Sequence, residues 1–342
     1  MTTTPVAPRR VGFRRGVLSR LALAGALALP CMAAQAAQDE PAYPSRPVNI
    51  VVPYGGGSIA DLVPRLLGNQ LQSDLGLPFI IEFKPGAGGL IGADYVLRQP
   101  ADGYSILSAA TNNLVINQFL FSKQKLDPLA TFVPVAKVVS VPLLVVVNAK
   151  LPIRSVDELV AYLNVQKGNA NYASPSAGTL PHLAAALFLQ ASGTKAVHVP
   201  YRGGSAMATA LGAGEVQFAL VGYSTVQSML QSGRVRALAV IAPQRLAMLP
   251  TVPTVQEAGW GKLAEAIPDN WWMLVARKET PPERVQALSA AIESALKKPA
   301  LIKLYEDAGL QVSAQTGPQL QKELQDEAQA WQKRLKGLDL KM

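Results

Sequence analysis

The sequence predicts an α/β protein of about two domains, and three observations support this fold class. The chain has 342 residues, of which 49% are hydrophobic and only 16% charged, so it is too apolar for a disordered protein. Its 27 glycines and 26 prolines are too many for a helical bundle. Strand-like apolar runs, Gly/Ser/Pro loops and helical patterns alternate after residue 40, which favours parallel-rich sheets covered by helices on both faces.

The first 36 residues have the features of a cleaved export signal. A stretch with five arginines precedes an apolar core at residues 21–29, and Ala34-Gln35-Ala36 is an A-x-A cleavage site. The apolar run is shorter than the roughly 20 residues that span a bilayer. We therefore predict a signal peptide over residues 1–36, cleaved near Ala36.

The charge of the remaining chain argues against a nucleic-acid partner. The signal segment holds five arginines and no acidic residue, so 27 basic residues face 23 acidic ones afterwards. Cys31 is the only cysteine, and His182 and His198 are the only histidines. A disulfide framework and a cysteine zinc site are excluded, and we expect no metal and no cofactor.

The strand predictions follow the apolar runs between turn signals. They cover residues 48–54, 78–84, 104–109, 133–148, 171–174, 196–201, 216–221, 235–242 and 271–276.

The run 138–147 is long for one strand and contains Pro142, so we interpret it as leaving one domain and entering another. The strand at 235–242 is the candidate return crossing. The predicted division is a discontinuous first domain at 43–143 plus 243–342 and a second domain at 144–242, joined by two crossing strands.

Several helices are indicated by their ends. Ser155 and Glu158 form a capping box, and residues 280–283 begin a helix that is expected to kink at Pro299 and stop near residue 309. A last helix is predicted over about 318–336. The first helix is expected to start near Ser58, and its Pro64 is tolerable if Asp61 is the N-cap and Pro64 lies in the first turn.

Four Gly/Ser loops, each between a strand and a helix, are the chemically informative feature. They lie at 55–58, 85–89, 175–179 and 202–205. A helix N-terminus offers unpaired N–H donors and a partial positive charge, and glycine lets a ligand approach the backbone. Two loops fall in each predicted domain, so domain closure would surround a small anion.

Enzymatic alternatives are less well supported. The loops lack the dinucleotide-binding spacing and the Gly-Lys-Ser/Thr of a phosphate loop. Residues 56–60 approximate the G-x-S-x-G of a hydrolase, with His182 or His198 as base, but the second glycine is missing. A hydrolase using Ser58 stays an alternative, while we interpret the histidines as capping or packing residues.

A family resemblance emerges from segments spread over nearly the whole mature chain. They are Tyr43-Pro44-Ser45-Arg46-Pro47-Val48, Val52-Pro53-Tyr54, Lys84-Pro85-Gly86-Ala87-Gly88-Gly89, Ile91-Gly92-Ala93, Asp102-Gly103-Tyr104, Asn171-Tyr172-Ala173-Ser174, Val197-His198-Val199-Pro200-Tyr201, Leu238-Ala239-Val240, Leu249-Pro250-Thr251-Val252-Pro253-Thr254 and Glu257-Ala258-Gly259. In order and spacing, the chain resembles the periplasmic substrate-binding proteins of tripartite tricarboxylate transporters, the Bug/TctC-like receptors.

The resemblance implies a type II periplasmic binding protein (Venus flytrap) fold. It also implies a periplasmic monomer that catalyses nothing, holds a small organic carboxylate in an interdomain cleft and delivers it to cognate membrane permease subunits; a sensor role is the alternative. The ligand-binding residues that it implies are Tyr54, Gly56, Gly57, Ser58, Asp61, Gly86, Ala87, Gly88, Ser174, Ser176, Gly178, Thr179, Tyr201, Arg202, Gly203, Val221 and Tyr223.

Two departures from the family pattern bear on the ligand. The first loop lacks the usual threonine before Asp61, and Val221-Gly222 stands where many members carry Asp-Asn. The loss of an acidic group disfavours ligands with an amine. We therefore expect a dicarboxylate, aromatic ones included, with Tyr54, Tyr223 and Trp272 lining an apolar middle.

Overall fold

The computed structural model describes residues 43–120 and 126–338, so the predicted signal peptide lies outside the described residues. The strands are β1 (Val48–Val52), β2 (Phe79–Phe83), β3 (Ser105–Ala110), β4 (Phe132–Ser140), β5 (Leu143–Asn148), β6 (Asn171–Ser174), β7 (Val197–Pro200), β8 (Phe218–Gly222), β9 (Val235–Ile241), β10 (Trp271–Arg277) and β11 (Gln311–Thr316).

Helices alternate with these strands along the chain. They are α1 (Ile59–Leu75), α2 (Leu90–Arg98), α3 (Asn117–Leu120), α4 (Pro128–Thr131), α5 (Val156–Gln166), α6 (Leu180–Ser192), α7 (Gly204–Ala213), α8 (Tyr223–Gln231), α9 (Gly261–Ala266), α10 (Pro282–Leu296), α11 (Pro299–Asp307) and α12 (Gln319–Leu335). A 3₁₀ turn (Ala87–Gly89) precedes α2, and a π-helical turn (Asn112–Ile116) precedes α3.

The strands form two sheets. The first sheet has the order β11-β4-β10-β3-β1-β2, and the second has the order β7-β6-β8-β5-β9. Both are mixed: β1 is parallel to β2 and β3, whereas β10 is antiparallel to β3 and β4. The expectation of parallel-rich sheets was therefore wrong, because strands that carry the chain between the sheets and back run against their neighbours.

The chain passes between the sheets twice. The long apolar run predicted as one strand is divided into β4 and β5, and Val141-Pro142 lies between them because proline cannot donate to a strand ladder. The return path leads from β9 to β10 through residues 242–270. Part of this path stays with the second sheet, since Val240 pairs with Thr254 and α9 packs on α6.

Two helix predictions need correction. The N-cap of α1 is Ser58, with extended backbone angles, and not Asp61, which lies inside the first turn. The helix expected over 280–309 is divided into α10 and α11 at Pro299, because a proline that begins a new helix cannot continue the old one.

Strands inside both sheets are buried along most or all of their length. Every residue of β5 and β8 is buried, and β10 is buried from Trp271 to Ala276. Such runs are typical of strands with both faces covered. Within the described ranges, no helix is long and apolar enough to cross a membrane.

Candidate ligand-binding site

A cavity of about 500 Å³ lies between the loops of the two sheets. All four predicted loops contribute to its wall, together with residues at both chain crossings, Val141 and Asn270. Its volume is within the range of about 300–1,000 Å³ typical of small-molecule sites. The arrangement therefore offers one small ligand contacts from both sheets.

Five of the described helices begin at this cavity. Their N-cap residues, all in the cavity wall, are Ser58 of α1, Gly89 of α2, Thr179 of α6, Gly203 of α7 and Gly222 of α8. Three of these N-caps are glycines and have no side chain. Neither Ser58 nor Thr179 accepts a hydrogen bond from the first turn of its helix. Partial positive charge from five helix ends thus converges on one space.

Tyr54 is fixed at the cavity wall by a polar contact behind it. Its hydroxyl is within 3.1 Å of Oδ1 of both Asn112 and Asn113 and accepts a hydrogen bond from Asn112 Nδ2 at 2.8 Å. Burial raises the pKa of Tyr54 to about 12. Since the hydroxyl is bonded within the protein, the tyrosine offers its ring to a ligand.

The loop at 85–89 is held by asparagines that the sequence analysis missed. Nδ2 of Asn113 and Nδ2 of Asn117 donate to the Gly88 carbonyl at 2.9 and 2.8 Å. Gly89 has φ of +99°, and a Cβ there would lie 2.1 Å from Asn113 Nδ2. The π-helical turn and the start of α3 aim these amides at the loop, and the Asn113 side chain leaves room only for glycine at position 89.

Asp61 shapes the first loop from behind. Its carboxylate accepts a hydrogen bond from Gly57 N–H at 3.1 Å and forms an ion pair with Arg65 at 2.6 Å. It does not line the cavity. Its described contacts therefore position the loop.

Two stacked histidines support the loop at 175–179. The rings of His182 and His198 are 3.8 Å apart and nearly parallel. His182 Nδ1 accepts a hydrogen bond from Gly178 N–H at 3.2 Å, and His198 Nε2 lies 2.7 Å from the fully buried hydroxyl of Ser174.

Both imidazoles are neutral at pH 7. Burial, and secondly the charge of His198, lower the pKa of His182 to about 3, and burial lowers that of His198 to about 4. An unprotonated Nδ1 is what His182 needs in order to accept from Gly178. Neither ring is hydrogen-bonded to Ser58 in the described structure, so the hydrolase alternative lacks a base positioned on its serine.

Twelve of the seventeen predicted ligand residues line the cavity: Tyr54, Gly56, Ser58, Gly86, Ala87, Gly88, Ser176, Thr179, Tyr201, Arg202, Gly203 and Val221. The structure places five outside the lining: Gly57, Asp61, Ser174, Gly178 and Tyr223. Tyr223 is buried against Gly309, where a Cβ would lie 2.7 Å from the tyrosine Cβ. The expectation that Tyr223 lines an apolar middle was therefore wrong, whereas Trp272 does line the cavity.

Polar lining residues that sequence reasoning missed are Asn112, Thr225 and Asn270, whereas Ser205 lies in the predicted loop at 202–205. Asn112 and Asn113 follow β3 after Thr111, and a polar pair just beyond a strand end was an available signal. Asn270 directly precedes β10, which is antiparallel to β3, with Trp272 opposite Ala110. Its place at the same sheet edge depends on strand direction, which the sequence pattern did not show.

The charged part of the cavity wall is positive. Arg202 is its only charged side chain within the described ranges, and no Asp or Glu lines it. No cluster of three or more His, Cys, Asp or Glu residues in the described part of the chain could hold a metal ion. The wall is suited to an anion bound by neutral donors and one guanidinium.

The structure has two mixed sheets accompanied by helices, and loops from both surround a ligand-sized cavity. This is the architecture of the type II periplasmic binding proteins. The sequence matches the model of the tripartite tricarboxylate transporter family receptors, TctC, over residues 63–340. The chain therefore belongs to this family of solute-binding receptors.

Individual relatives cover most of the chain. BugT of Bordetella pertussis is 32% identical over 290 residues, which are 84% of this chain and 88% of BugT. The solved structure of Rpa4515 of R. palustris with adipate is 28% identical, with a TM-score of 0.80, covering 86% of this chain and 97% of that one. MatC of Rhodopseudomonas palustris with bound malate is also 28% identical, with a TM-score of 0.78, covering 86% and 100%.

Proposed function

We propose that this receptor captures a small dicarboxylate in the cavity and delivers it to a membrane permease of the tripartite tricarboxylate type. The observation that carries the proposal is the convergence of five uncapped helix N-termini and Arg202 on a cavity without an acidic lining residue. A carboxylate is the common small anion that such donors accommodate.

Two anionic ends fit the distribution of donors better than one. α1 and α2 begin on the side of the first sheet, and α6, α7 and α8 begin on the side of the second. A ligand with a carboxylate at each end places charge near both groups of helix starts. The family neighbours solved with adipate and malate bind ligands of this kind.

Export completes the proposed role. Residues 1–36 would be removed near Ala36, and the mature receptor would act in the periplasm as two domains, at 43–143 plus 243–342 and at 144–242. Mass spectrometry of the native protein should find an N-terminus near Ala37. An intact Met1 or a lipid on Cys31 would contradict this part of the proposal.

The ligand class is tested by calorimetry on the mature protein. The probes are a dicarboxylate, its monoester and an amino acid of similar length, after a thermal-shift screen of mono- and dicarboxylates. A ligand at 100 times its Kd should stabilise the protein by about 2.7 kcal/mol. We expect the dicarboxylate to bind best; an amino acid that binds equally well would contradict the assignment.

A variant pair tests the guanidinium. Arg202→Gln should weaken dicarboxylate binding by about 1 kcal/mol, the size of an exposed charge interaction. Arg98→Gln is the control, because Arg98 is an exposed arginine on α2 that pairs with Asp94. Equal dicarboxylate affinities of the two variants would show that Arg202 does not contribute to ligand binding.

A further inference from the structure

The polar side chains in the cavity wall fall into two groups. Five have hydrogen-bond partners within the protein, whereas six have none among the described residues: Ser58, Tyr201, Arg202, Thr225, Asn270 and Trp272. Asn270 and Trp272 are the most buried of these, each with 7% of its surface exposed. The indole nitrogen of Trp272 is fully enclosed, whereas the Asn270 amide keeps accessible surface in the cavity wall, which indicates a ligand contact.

Asn270 lies in the cavity wall, near the start of α8. Its carbonyl accepts a hydrogen bond from Val141 N–H at 2.6 Å. Val141 Cγ1 in turn lies 2.9 Å from the point where a Cβ on Gly222 would be. Gly222 is the N-cap of α8, so this close packing brings the asparagine and the helix end to the same side of the cavity.

The start of α8 has unused donors of its own. Gly222 has no side chain that could cap the helix, and Thr225, in the first turn, is another of the lining residues without a partner. The positive end of a nine-residue helix and an amide that can turn its Nδ2 inward favour a negative group between them. They disfavour an ammonium, since the helix end repels it.

We propose that Asn270 and the N-terminus of α8 form the subsite for one carboxylate of the ligand, and that Asn270 determines the charge accepted there. This inference rests on the proposed function and deepens it. Asn270 donates to the carboxylate through Nδ2 without contributing a charge. A carboxylate in place of the amide keeps the shape of the side chain, repels an anion and attracts an ammonium.

The experiment uses Asn270→Asp with matched ligand pairs. The dicarboxylates succinate, glutarate and adipate are compared with the ω-amino acids of the same length, 4-aminobutanoate, 5-aminopentanoate and 6-aminohexanoate. Calorimetry gives both affinities on the same protein sample, so a loss of folded material cancels in their ratio. The ratio of dicarboxylate to amino-acid affinity should fall at least about 100-fold in Asn270→Asp.

Two further variants separate recognition from general damage. Asn164→Asp adds the same charge at an exposed position of α5 and should leave the ratio unchanged. Asn270→Ser should weaken dicarboxylate binding without improving amino-acid binding. An unchanged ratio in Asn270→Asp, with wild-type dicarboxylate binding intact, overturns this inference alone; a wild type that binds none of the dicarboxylates overturns the proposed function and this inference with it.

Discussion

The hydroxyl groups of Tyr54 and Ser58 differ in whether they have hydrogen-bond partners within the protein. The hydroxyl of Tyr54 contacts Asn112 and Asn113 and is bonded within the protein. The hydroxyl of Ser58 lines the cavity at the N-cap of α1 without capping the helix. Ser58 can therefore contribute to binding without contributing to the fold.

Ser58→Ala should weaken dicarboxylate binding by about 1–2 kcal/mol, the size of a hydrogen bond to a charged group. Its free energy of unfolding should stay close to the wild-type value, because the hydroxyl has no partner within the described structure. Calorimetry and urea unfolding measure the two quantities. Ser228→Ala, at an exposed site on α8, is the control, and equal affinity in both variants would contradict a ligand role for Ser58.

The stacked histidines predict a pH dependence of stability. Both pKa values are lowered from 6.5 in the folded state, to about 3 for His182 and about 4 for His198. Between the unfolded pKa and the folded pKa values, the unfolded chain binds protons that the folded chain does not. The free energy of unfolding therefore decreases as the pH falls through this range. The free energy of unfolding should decline from about pH 6.5 towards about pH 4.

Urea unfolding at several pH values checks this expectation. His182→Gln and His198→Gln should each be less stable than the wild type at neutral pH but lose less stability on acidification. The difference between variant and wild type isolates the histidines from the carboxylates, which titrate at lower pH. A variant that declines as steeply as the wild type would refute the assignment.

At the residue scale, the sequence could predict which loops line the cavity but only in part which of their residues do. Glycine and serine after a strand identified Ser58 and Thr179 because loop chemistry is local. Ser174 belongs to the same motif, yet it is fully buried against His198. That contact joins residues 24 positions apart, which spacing alone cannot show.

The loop at 85–89 is the most constrained element of the cavity. Gly86, Ala87, Gly88 and Gly89 all have positive φ, and the Gly88 carbonyl is held by asparagine amides. A left-handed conformation costs a residue other than glycine roughly 1–2 kcal/mol, so Ala87, the one non-glycine of the four, needs the tertiary contacts that surround it.

Gly89→Ala should destabilise the protein by about 1–3 kcal/mol and weaken ligand binding, because the new Cβ meets both an unfavourable φ and the side chain of Asn113. Gly76→Ala is the matched control. Gly76 has φ of +69°, but nothing lies within 4 Å of its Cβ position. The control should lose stability through the backbone alone and keep its affinity; equal effects on affinity would show that the 85–89 loop is not part of the site.

Among the elements, periodic apolar runs were predicted well and irregular ones were not. The strands at the centre of each sheet are visible as apolar runs. β11 was not predicted, since its exposed and half-buried residues give no clear alternation. The π-helical turn at Asn112–Ile116 was not predicted either, because its residues are all buried and show no helical face.

At the scale of the whole molecule, one hydrogen bond directly joins loops from the two sheets beside the cavity. Ser205 Oγ, in the first turn of α7, donates to the Gly57 carbonyl at 3.1 Å. The same loops contribute Gly203 and Ser58 to the cavity wall. This bond would be broken whenever the two sides separate to release a ligand.

Ser205→Ala should therefore speed ligand dissociation by about two- to tenfold, as expected for the loss of one neutral hydrogen bond. The association rate should change less, because it reports on the open receptor. Stopped-flow tryptophan fluorescence, to which Trp272 in the cavity wall contributes, can follow both steps. A dissociation rate equal to that of Ser228→Ala would mean that the bond does not hold the closed form.

The position of β10 also sets the order in which the receptor can assemble during synthesis. β10 lies between β3 and β4, although it follows them by more than a hundred residues in the chain. The strands of the second sheet come from one continuous stretch, 143–241. In a chain that emerges N-terminus first, the second sheet can complete while β3 and β4 still present unpaired edges. The cavity wall is complete only once Asn270 and Trp272 are in place, so a chain that ends before β10 would lack both residues and the strand that joins β3 to β4.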